Sequence, residues 1–357
     1  MVSALKTHLD ELLKRSTSDG SFPGAVALVS SQGRPEYGGT FGRSSVVPEE
    51  RKMREDAIFD LASLTKVVAT TPAVLQLLES GRISLSDTVS SFFGELDWSN
   101  GNSRATVEDL LCHTSGFYGY YPFHRHAGDS STVMSTIASM PPLYEPGKGE
   151  IYSDLDFILL GRIVERVSST PLDVYCRENV FEPLGMHETF FNPAASLSDR
   201  FVTTEVYPDR ICSGRVHDEN AYFMGGVSGH AGLFSTAADL MKYCTAVIRR
   251  GELNGRRVFS ARVAEEMVRQ RRPGISGTYG LGWQLNTGTY VGPFGDLFPL
   301  WSFGHTGFTG TMLWMDRKSA VSSILLTNRV HPTRNNHAIL RCRRLFNNIV
   351  AACLIDS

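Results

Sequence analysis

The sequence has little net charge and no long apolar run. Its formal net charge is −2 over 357 residues, so no overall field attracts nucleic acid or an acidic membrane. No stretch approaches the roughly 20 consecutive apolar residues of a membrane span, and residues 1–16 lack the apolar core of a secretory signal. We therefore expect a cytoplasmic protein that binds no nucleic acid and has no membrane span.

Signals for a metal or nucleotide site are missing as well. The six cysteines are scattered without a CxxC or other metal-like spacing, which is typical of free, mostly buried thiols. There is no P-loop, no His-Glu-x-x-His and no Gly-x-Ser-x-Gly elbow. His124, His126 and Asp129 share loop 116–130, which we interpret as a cleft wall or lid, or alternatively as a plain surface loop. We expect no metal and no organic cofactor.

Two pairs of predicted β-strands lie near opposite ends of the chain. The segments 24–31 and 36–43 indicate one hairpin, and 309–315 and 320–327 indicate another. A helix is predicted at about 336–352, and the leucine spacing at the N-terminus predicts a further, amphipathic helix.

The middle of the chain is dominated by helix signals. Residues 66–80 form a long apolar-periodic segment. Thr106 with Asp109, and Ser153 with Asp156, have the spacing of capping boxes ahead of two further helices.

These patterns predict an α+β fold, in which an antiparallel sheet is flanked by terminal helices and a mainly helical domain is inserted. Residues 1–63 and 246–357 would form one discontinuous α/β domain, and residues 64–245 the inserted domain. A catalytic cleft is expected between them, because domain interfaces are preferred places for small-molecule sites.

The segment 61–70, LASLTKVVAT, places Ser63 three residues before Lys66. Positions i and i+3 share one face of a helix, so the hydroxyl and the amine can approach hydrogen-bonding distance. Serine becomes a nucleophile when a base takes its proton, and lysine can be that base if its pKa falls toward neutrality. The alternative is that Ser63 only caps the helix, and the same spacing recurs at Ser3 and Lys6.

Two further short motifs lie downstream. In YSD at 152–154, the phenol of Tyr152 either relays a proton or only packs as a hydrophobic staple. In GHTGFTG at 304–310, His305 is a candidate ligand for a substrate, and the backbone N–H of Phe308 is a candidate oxyanion donor. The alternative for this motif is a tight surface loop.

Together these motifs resemble the Ser-x-x-Lys, Tyr-x-Asn and Lys/His-Thr-Gly motifs of the serine β-lactamase and penicillin-binding-protein family. The likeness is strongest to its class C β-lactamase, D,D-peptidase and esterase-like branch. The motifs stand in the family's order, and the resemblance runs from about residue 20 to 350, including IFDLASLTK at 58–66. It implies a β-lactamase/transpeptidase-like fold.

The resemblance also implies catalytic roles. Ser63 would be the nucleophile that forms an acyl-enzyme, and Lys66 would assist its deprotonation. Tyr152 would exchange protons with the serine and the leaving group. The backbone N–H groups of Ser63 and Phe308 would form the oxyanion hole.

The substrate side is implied to be lined by His305, Thr306, Gly307 and Asp154, and two of these depart from the family pattern. Asp154 replaces asparagine; an ionised carboxylate accepts hydrogen bonds but donates none, and it would raise the pKa of Lys66. His305 replaces lysine and is mostly neutral at pH 7, so it holds a substrate carboxylate less firmly. Both changes favour esters or other amides over efficient β-lactam hydrolysis.

The predicted function is a serine hydrolase that acts on a small ester, amide or peptide, with weak or no β-lactamase activity. No pattern in the sequence specifies an oligomeric state. A second hypothesis is a sensor or penicillin-binding-like protein that is acylated without turnover. For the hydrolase, activity is expected to rise with pH near neutrality as Lys66 and Tyr152 lose a proton.

Overall fold

Strands cluster toward the two ends of the chain and helices toward its middle. The computed structural model describes residues 2–99, 101–207, 210–275 and 277–355. The strands are β1 Gly24–Ser31, β2 Arg34–Ser45, β3 Arg51–Lys52, β4 Phe59–Asp60, β5 Phe190–Phe191, β6 Leu233–Ser235, β7 Glu252–Leu253, β8 Arg256–Arg257, β9 Gln284–Leu285, β10 Phe303–Thr306, β11 Thr311–Asp316 and β12 Val321–Thr327.

The helices are of three kinds. The α-helices are α1 Val2–Ser18, α2 Thr71–Glu79, α3 Val89–Phe92, α4 Val107–Leu111, α5 Phe123–His126, α6 Val133–Ser139, α7 Asp154–Ser168, α8 Leu172–Cys176, α9 Glu219–Phe223, α10 Ala237–Ile248, α11 Ala261–Met267 and α12 Ile339–Leu354. π-Helical turns cover Lys66–Thr70 and Arg177–Phe181, and 3₁₀ turns cover Ser130–Thr132, Glu182–Leu184 and Ala195–Arg200.

The largest sheet takes its strands from both ends of the chain. Its order is β3-β2-β1-β12-β11-β10-β9, and every neighbouring pair is antiparallel. The pairing of β1 with β12, with Ala25 opposite Thr327, joins the two ends directly. The predicted α+β fold with an antiparallel sheet is therefore confirmed.

β10 differs from the expectation. The sequence predicts no strand at His305 and Thr306 and leaves a tight surface loop as one alternative, whereas both residues lie on β10 and pair with Leu313 and Met312 of β11. Glycines interrupt the alternating pattern by which a strand is recognised. Gly307 follows at once, and a Cβ there would lie 2.3 Å from the Leu61 carbonyl, so only glycine lets this turn approach the segment before Ser63 so closely.

The alternation of side chains along β1 gives the sheet two buried faces. Ala25, Ala27 and Val29 face the terminal helices, where they share a core with the leucines of α1 and with Phe346 of α12. Val26 points to the other face and belongs to the larger core formed with the central helices. Leu5, Leu9, Leu12 and Leu13 are all at most 4% exposed, as the amphipathic spacing predicts.

The central helices form where the sequence predicts them. Of the predicted segment 66–80, residues 66–79 are helical, but the first turn, Lys66–Thr70, is π-helical, and α2 follows it. The capping box of α4 is complete, since the Thr106 side chain accepts the Asp109 N–H and the Asp109 carboxylate accepts the Thr106 N–H. Lys66 thus sits on the irregular turn, a feature often found at functional sites.

Other expectations concern the whole chain. All six cysteines are free, and within the described ranges no helix is long and apolar enough to cross a membrane. The cytoplasmic location and the domain boundaries at 63/64 and 245/246 stay predictions. Helix α10 runs across the second of these boundaries and packs against the sheet core.

Candidate active site

One cleft, with a volume of about 570 Å³, brings the three sequence motifs together. The predicted site residues that line it are Ser63, Tyr152, Asp154, His305, Thr306, Gly307 and Phe308. Lys66 does not line the cleft, because its side chain is fully buried beneath Ser63. From loop 116–130, only Tyr120 reaches the wall of this cleft.

Ser63 occupies the turn that leads into the π-helical segment. The Lys66 N–H donates to the Ser63 carbonyl at 3.1 Å, and Lys66 Nζ donates to Ser63 Oγ at 3.2 Å. Within the described residues, no helix N–H donates to Ser63 Oγ, so the hydroxyl meets the lysine rather than capping the helix. The preceding Ala62 has a φ of 46°, a left-handed conformation that residues with a Cβ adopt at some cost.

Lys66 is held by three further groups from different parts of the chain. Its Nζ donates to Asp154 Oδ1 at 2.7 Å and to the His230 carbonyl at 3.1 Å. It also lies 4.9 Å from the centre of the Tyr152 ring. Burial alone would lower the pKa of Lys66, but the carboxylate charge of Asp154, together with the neighbouring Tyr152, outweighs burial and raises the pKa to about 12. Lys66 is therefore an ammonium at neutral pH.

A buried histidine fixes Tyr152 at the entrance to α7. The Ser153 N–H donates to His113 Nδ1 at 3.1 Å, and the His113 ring lies 4.7 Å from the ring of Tyr152. Ser153 caps α7 by accepting the Asp156 N–H at 3.2 Å. The capping box predicted there is only half formed, because the Asp156 carboxylate faces Ser115 and His113 instead of returning to Ser153.

Tyr152 keeps its proton at neutral pH. Burial raises the pKa of the Tyr152 phenol, the charge of Lys66 opposes this, and the charge of Asp154 adds to it. The phenol interacts with both Lys66 and Ser63. It is thus placed to give a proton at the reacting centre rather than to start as a phenolate.

His305 is neutral as well. It is 3% exposed, and its Nδ1 lies 2.9 Å from the carbonyl oxygen of Thr306. Burial, with a further contribution from the charge of Lys66, lowers the pKa of His305 to about 3. The positive charge that a family member with lysine would offer to a substrate carboxylate is absent at this position.

Two backbone N–H groups face the cleft without an internal acceptor. Within the described residues, neither the Ser63 N–H nor the Phe308 N–H donates to another group of the protein. Phe308 lies in the turn between β10 and β11, and Thr311 Oγ1 fastens that turn to the Leu61 carbonyl at 3.0 Å. Such free donors on a fastened backbone can stabilise an oxyanion.

Asp60, which sequence reasoning missed, ties these two backbone segments together. Its carboxylate is 2% exposed and accepts the N–H groups of Ala62 at 2.8 Å and of His217 at 2.7 Å. Its carbonyl accepts a hydrogen bond from Thr309 Oγ1 at 2.7 Å. Burial raises the pKa of Asp60, and the two N–H donors oppose this. An acidic residue inside the apolar run 58–62 was the available signal.

Asp154, Asp218 and His230 have ligand atoms within 4.8 Å of one another, an arrangement of the kind that can hold a metal. Here Asp154 is bound to the Lys66 ammonium, and His230 Nε2 lies 2.9 Å from Asp218 Oδ1. The Lys66 ammonium therefore supplies the positive charge that a cation would bring. His124, His126 and Asp129 do not form a metal-holding group in the described part of the chain.

The β-lactamase family model matches residues 7–345. The chain belongs to this family. A protein of Escherichia coli O157:H7 named "Putative D-alanyl-D-alanine carboxypeptidase" is 32% identical over 348 residues, covering 88% of this chain and 80% of that protein. The family assignment confirms the predicted resemblance. It also supports the prediction that the chain is a serine hydrolase.

Two solved structures share the fold of this chain. A penicillin-binding protein homologue from Caulobacter crescentus is 21% identical, covers 98% of this chain and 97% of its own, and has a TM-score of 0.77. EstCE1, described as a hydrolase with promiscuous acyltransferase activity, is 20% identical, covers 97% and 99%, and has a TM-score of 0.76. The β-lactamase/transpeptidase-like fold is confirmed.

We expect Asp60→Asn to slow the labelling of Ser63 by a fluorophosphonate at least about tenfold. An amide offers one oxygen where the carboxylate offers two, so either the Ala62 or the His217 N–H loses its acceptor. Second-order labelling rates of the folded variant measure this effect.

Asp316→Asn is the matched control. Asp316 is also buried and accepts the Ser319 N–H at 2.8 Å, but it lies at the far end of β11. This variant should label at the wild-type rate. Labelling of the Asp60 variant at the wild-type rate would contradict the positioning role.

Proposed function

We propose that this chain is a serine hydrolase that forms an acyl-enzyme on Ser63 and acts on small esters or amides, with weak or no β-lactamase activity. The observation that carries the proposal is the short path from Ser63 Oγ through Lys66 Nζ, at 3.2 Å, to Asp154 Oδ1, at 2.7 Å. A relative named "Putative D-alanyl-D-alanine carboxypeptidase" and a structural neighbour described as a hydrolase with promiscuous acyltransferase activity support acyl-transfer chemistry at Ser63.

Lys66 takes part as a proton carrier rather than as a free amine. With its pKa raised to about 12, a neutral Lys66 is scarce at pH 7. As Ser63 Oγ attacks a carbonyl carbon, its proton passes to Lys66 Nζ while a proton of Nζ passes to Asp154 Oδ1. The proton remains within the pair, so no proton has to leave for the solvent first.

Tyr152 supplies the proton to the leaving group. Its phenol is protonated and interacts with both Ser63 and Lys66. When the tetrahedral intermediate collapses, the bond to the leaving group breaks, and the phenol proton goes to the departing oxygen or nitrogen. The Lys66–Asp154 pair then returns a proton to Tyr152. In the second half of the reaction, water attacks the acyl carbon and gives a proton to the same groups. The bond between Ser63 Oγ and the acyl carbon then breaks, the acid product leaves, and the proton passes to Ser63 Oγ.

The negative charge on the carbonyl oxygen is held by the N–H groups of Ser63 and Phe308. Removal of one such donor typically costs 10² to 10³ in rate. Asp60 holds the two donors in their relative positions, because it contacts Ala62 beside Ser63 and Thr309 beside Phe308.

The proposed substrate class rests on two positions near Ser63, Asp154 and His305. Asp154 accepts hydrogen bonds and donates none, and His305 is neutral with a pKa of about 3. A β-lactam that needs an amide donor and a cation for its carboxylate finds neither at these two positions. Small esters and uncharged amides do not need them.

A fluorophosphonate probe should label the wild-type protein and fail to label Ser63→Ala. The wild type should also hydrolyse p-nitrophenyl acetate well above the rate of that variant, and turn over a chromogenic cephalosporin weakly or not at all. Mass spectrometry of the probe adduct and absorbance of p-nitrophenol are the measurements.

Ser3→Ala is the control, because Ser3 and Lys6 repeat the motif spacing on α1, where Lys6 pairs with Asp10 at 2.8 Å. It should label like the wild type. Absence of labelling in the wild type would refute the hydrolase. Labelling without ester turnover would favour the second candidate, a sensor that is acylated and not released, which the substitution of Asp154 for asparagine makes chemically reasonable.

We expect Asp154→Asn to change the pH profile of ester hydrolysis. In the wild type, the proton stays within the Lys66–Asp154 pair, so kcat/KM should be flat from pH 6 to 8.5. This replaces the rise near neutrality expected from the sequence, because the pKa values of Lys66 and Tyr152 are both raised. Without the carboxylate, the pKa of Lys66 falls, and kcat/KM should rise with pH toward that value.

The same variant regains an amide donor, so acylation by the cephalosporin should become at least about tenfold faster. Asp129→Asn, on an exposed loop, is the control and should keep the wild-type profile. A wild-type kcat/KM that climbs about tenfold per pH unit over this range would show that a neutral Lys66 is required, contrary to the proposal.

A further inference from the structure

Two buried arginines lie beside the turn that carries Phe308. Arg329 and Arg343 are 6% and 5% exposed. In the part of the chain that the structure describes, neither has a carboxylate within ion-pairing distance. Buried charges are normally paired, because desolvation of an unpaired charge is strongly unfavourable. Two buried guanidinium groups without a carboxylate partner are therefore unusual, and their hydrogen-bond partners indicate what they do.

Backbone carbonyls of one turn take the place of the missing carboxylates. Arg343 Nη2 donates to the carbonyl oxygens of Gly307 at 2.9 Å and Thr311 at 2.8 Å. Arg329 Nε donates to the carbonyl oxygen of Phe308 at 2.7 Å. The two guanidinium groups therefore bind the carbonyl oxygens of successive peptide groups, those of Gly307 and Phe308, in the turn between β10 and β11.

The first of these peptide groups is the one that matters for catalysis. The Gly307 carbonyl and the Phe308 N–H belong to the same planar, conjugated amide. A cation on the carbonyl oxygen draws electron density from the amide and makes its N–H a stronger donor, since hydrogen bonds along such a chain polarise one another. The charge is also fixed before the reaction begins, so no reorganisation is needed when an oxyanion forms.

We propose that Arg343 is a positioning residue that strengthens the Phe308 N–H as an oxyanion donor by binding the Gly307 carbonyl, with Arg329 fixing the next peptide group. The inference rests on the proposed function, because it assigns a supporting group to the same oxyanion hole. Burial, and then the charge of Arg329, lower the pKa of Arg343 to about 9, so the guanidinium is charged at pH 7.5.

Arg317 offers a matched comparison. It is a partly buried arginine that likewise donates through Nη2 to two backbone carbonyls, those of Val247 and Ala264, at 3.5 and 3.0 Å. Both Arg317 and Arg343 have an Nε atom without a partner in the described structure. Arg317 does not line the cleft. Its loss should therefore affect stability in the same way without affecting the oxyanion hole.

The test uses uncharged ligands at pH 7.5, so that direct binding of a substrate carboxylate to Arg343 contributes nothing. With p-nitrophenyl acetate, Arg343→Met should lower kcat/KM about 30-fold, less than the loss of a whole donor. The Kd of phenylboronic acid, which adds to Ser63 and places an oxygen where the oxyanion forms, should rise by a similar factor. Arg343→Lys, which keeps the charge, should fall between the wild type and Arg343→Met, and Arg317→Met should stay within twofold of the wild type.

Three results would overturn the inference. The first is an Arg343→Met protein that remains folded and matches Arg317→Met in both readouts. The second is a loss confined to carboxylate-bearing substrates, which would make Arg343 a direct substrate ligand. The third is equal loss in Arg343→Lys and Arg343→Met. If the wild type neither reacts with a fluorophosphonate nor binds phenylboronic acid, the proposed function itself fails, and that outcome is separate from the other three.

Discussion

The ion pair between Lys66 and Asp154 is the interaction on which the rest of the site depends. Lys66 has no exposed side-chain surface, and a lone buried ammonium would be strongly destabilising. Its partners come from the turn at Ser63, the start of α7 and the His230 loop. Satisfying one charge thus draws two distant segments to the turn that carries Ser63 and Lys66, and the cleft forms above that point.

The same pair decides which groups hold protons. Asp154 keeps Lys66 charged, and the ammonium stabilises negative charge near it and disfavours a second cation. This is one reason why His305 is neutral. Tyr152 lies between these influences and remains a phenol. An asparagine at position 154 would offer a substrate one more donor and would leave Lys66 free to lose its proton. The carboxylate exchanges that donor for an internal proton acceptor, and in the proposed function this exchange shapes both the mechanism and the substrate preference.

Most of the fold was predictable because its signals are local. The alternation along β1 and the leucine spacing of α1 each report which side chains face a core. The ordered motifs at Ser63, Tyr152 and His305 predicted a common site, and the structure brings them together in one cleft. β10 was missed, since its glycines interrupt the pattern. The half-formed capping box at Ser153 was missed because Asp156 finds better partners in a segment about forty residues away.

The supporting residues of the site were beyond sequence reasoning for a similar cause. Asp60 and Arg343 hydrogen-bond to backbone groups, and backbone contacts leave no pattern of side-chain types. Arg343 lies 36 residues from the Gly307 carbonyl that it binds, and its own surroundings in the sequence, RCRR, suggest an ordinary exposed helix face. Only the fold shows that one of these arginines, Arg343, is buried against the turn that carries Phe308.

The central claim is that Lys66 remains an ammonium in the resting enzyme, and its titration tests this directly. In protein labelled with ¹³C at lysine Cε, the Lys66 signal can be assigned by its absence in Lys66→Arg and followed by NMR from pH 6 to 10. The account predicts no titration in this range, since the pKa of Lys66 is raised to about 12. A midpoint below about pH 9 would contradict it and would restore a neutral lysine as the base.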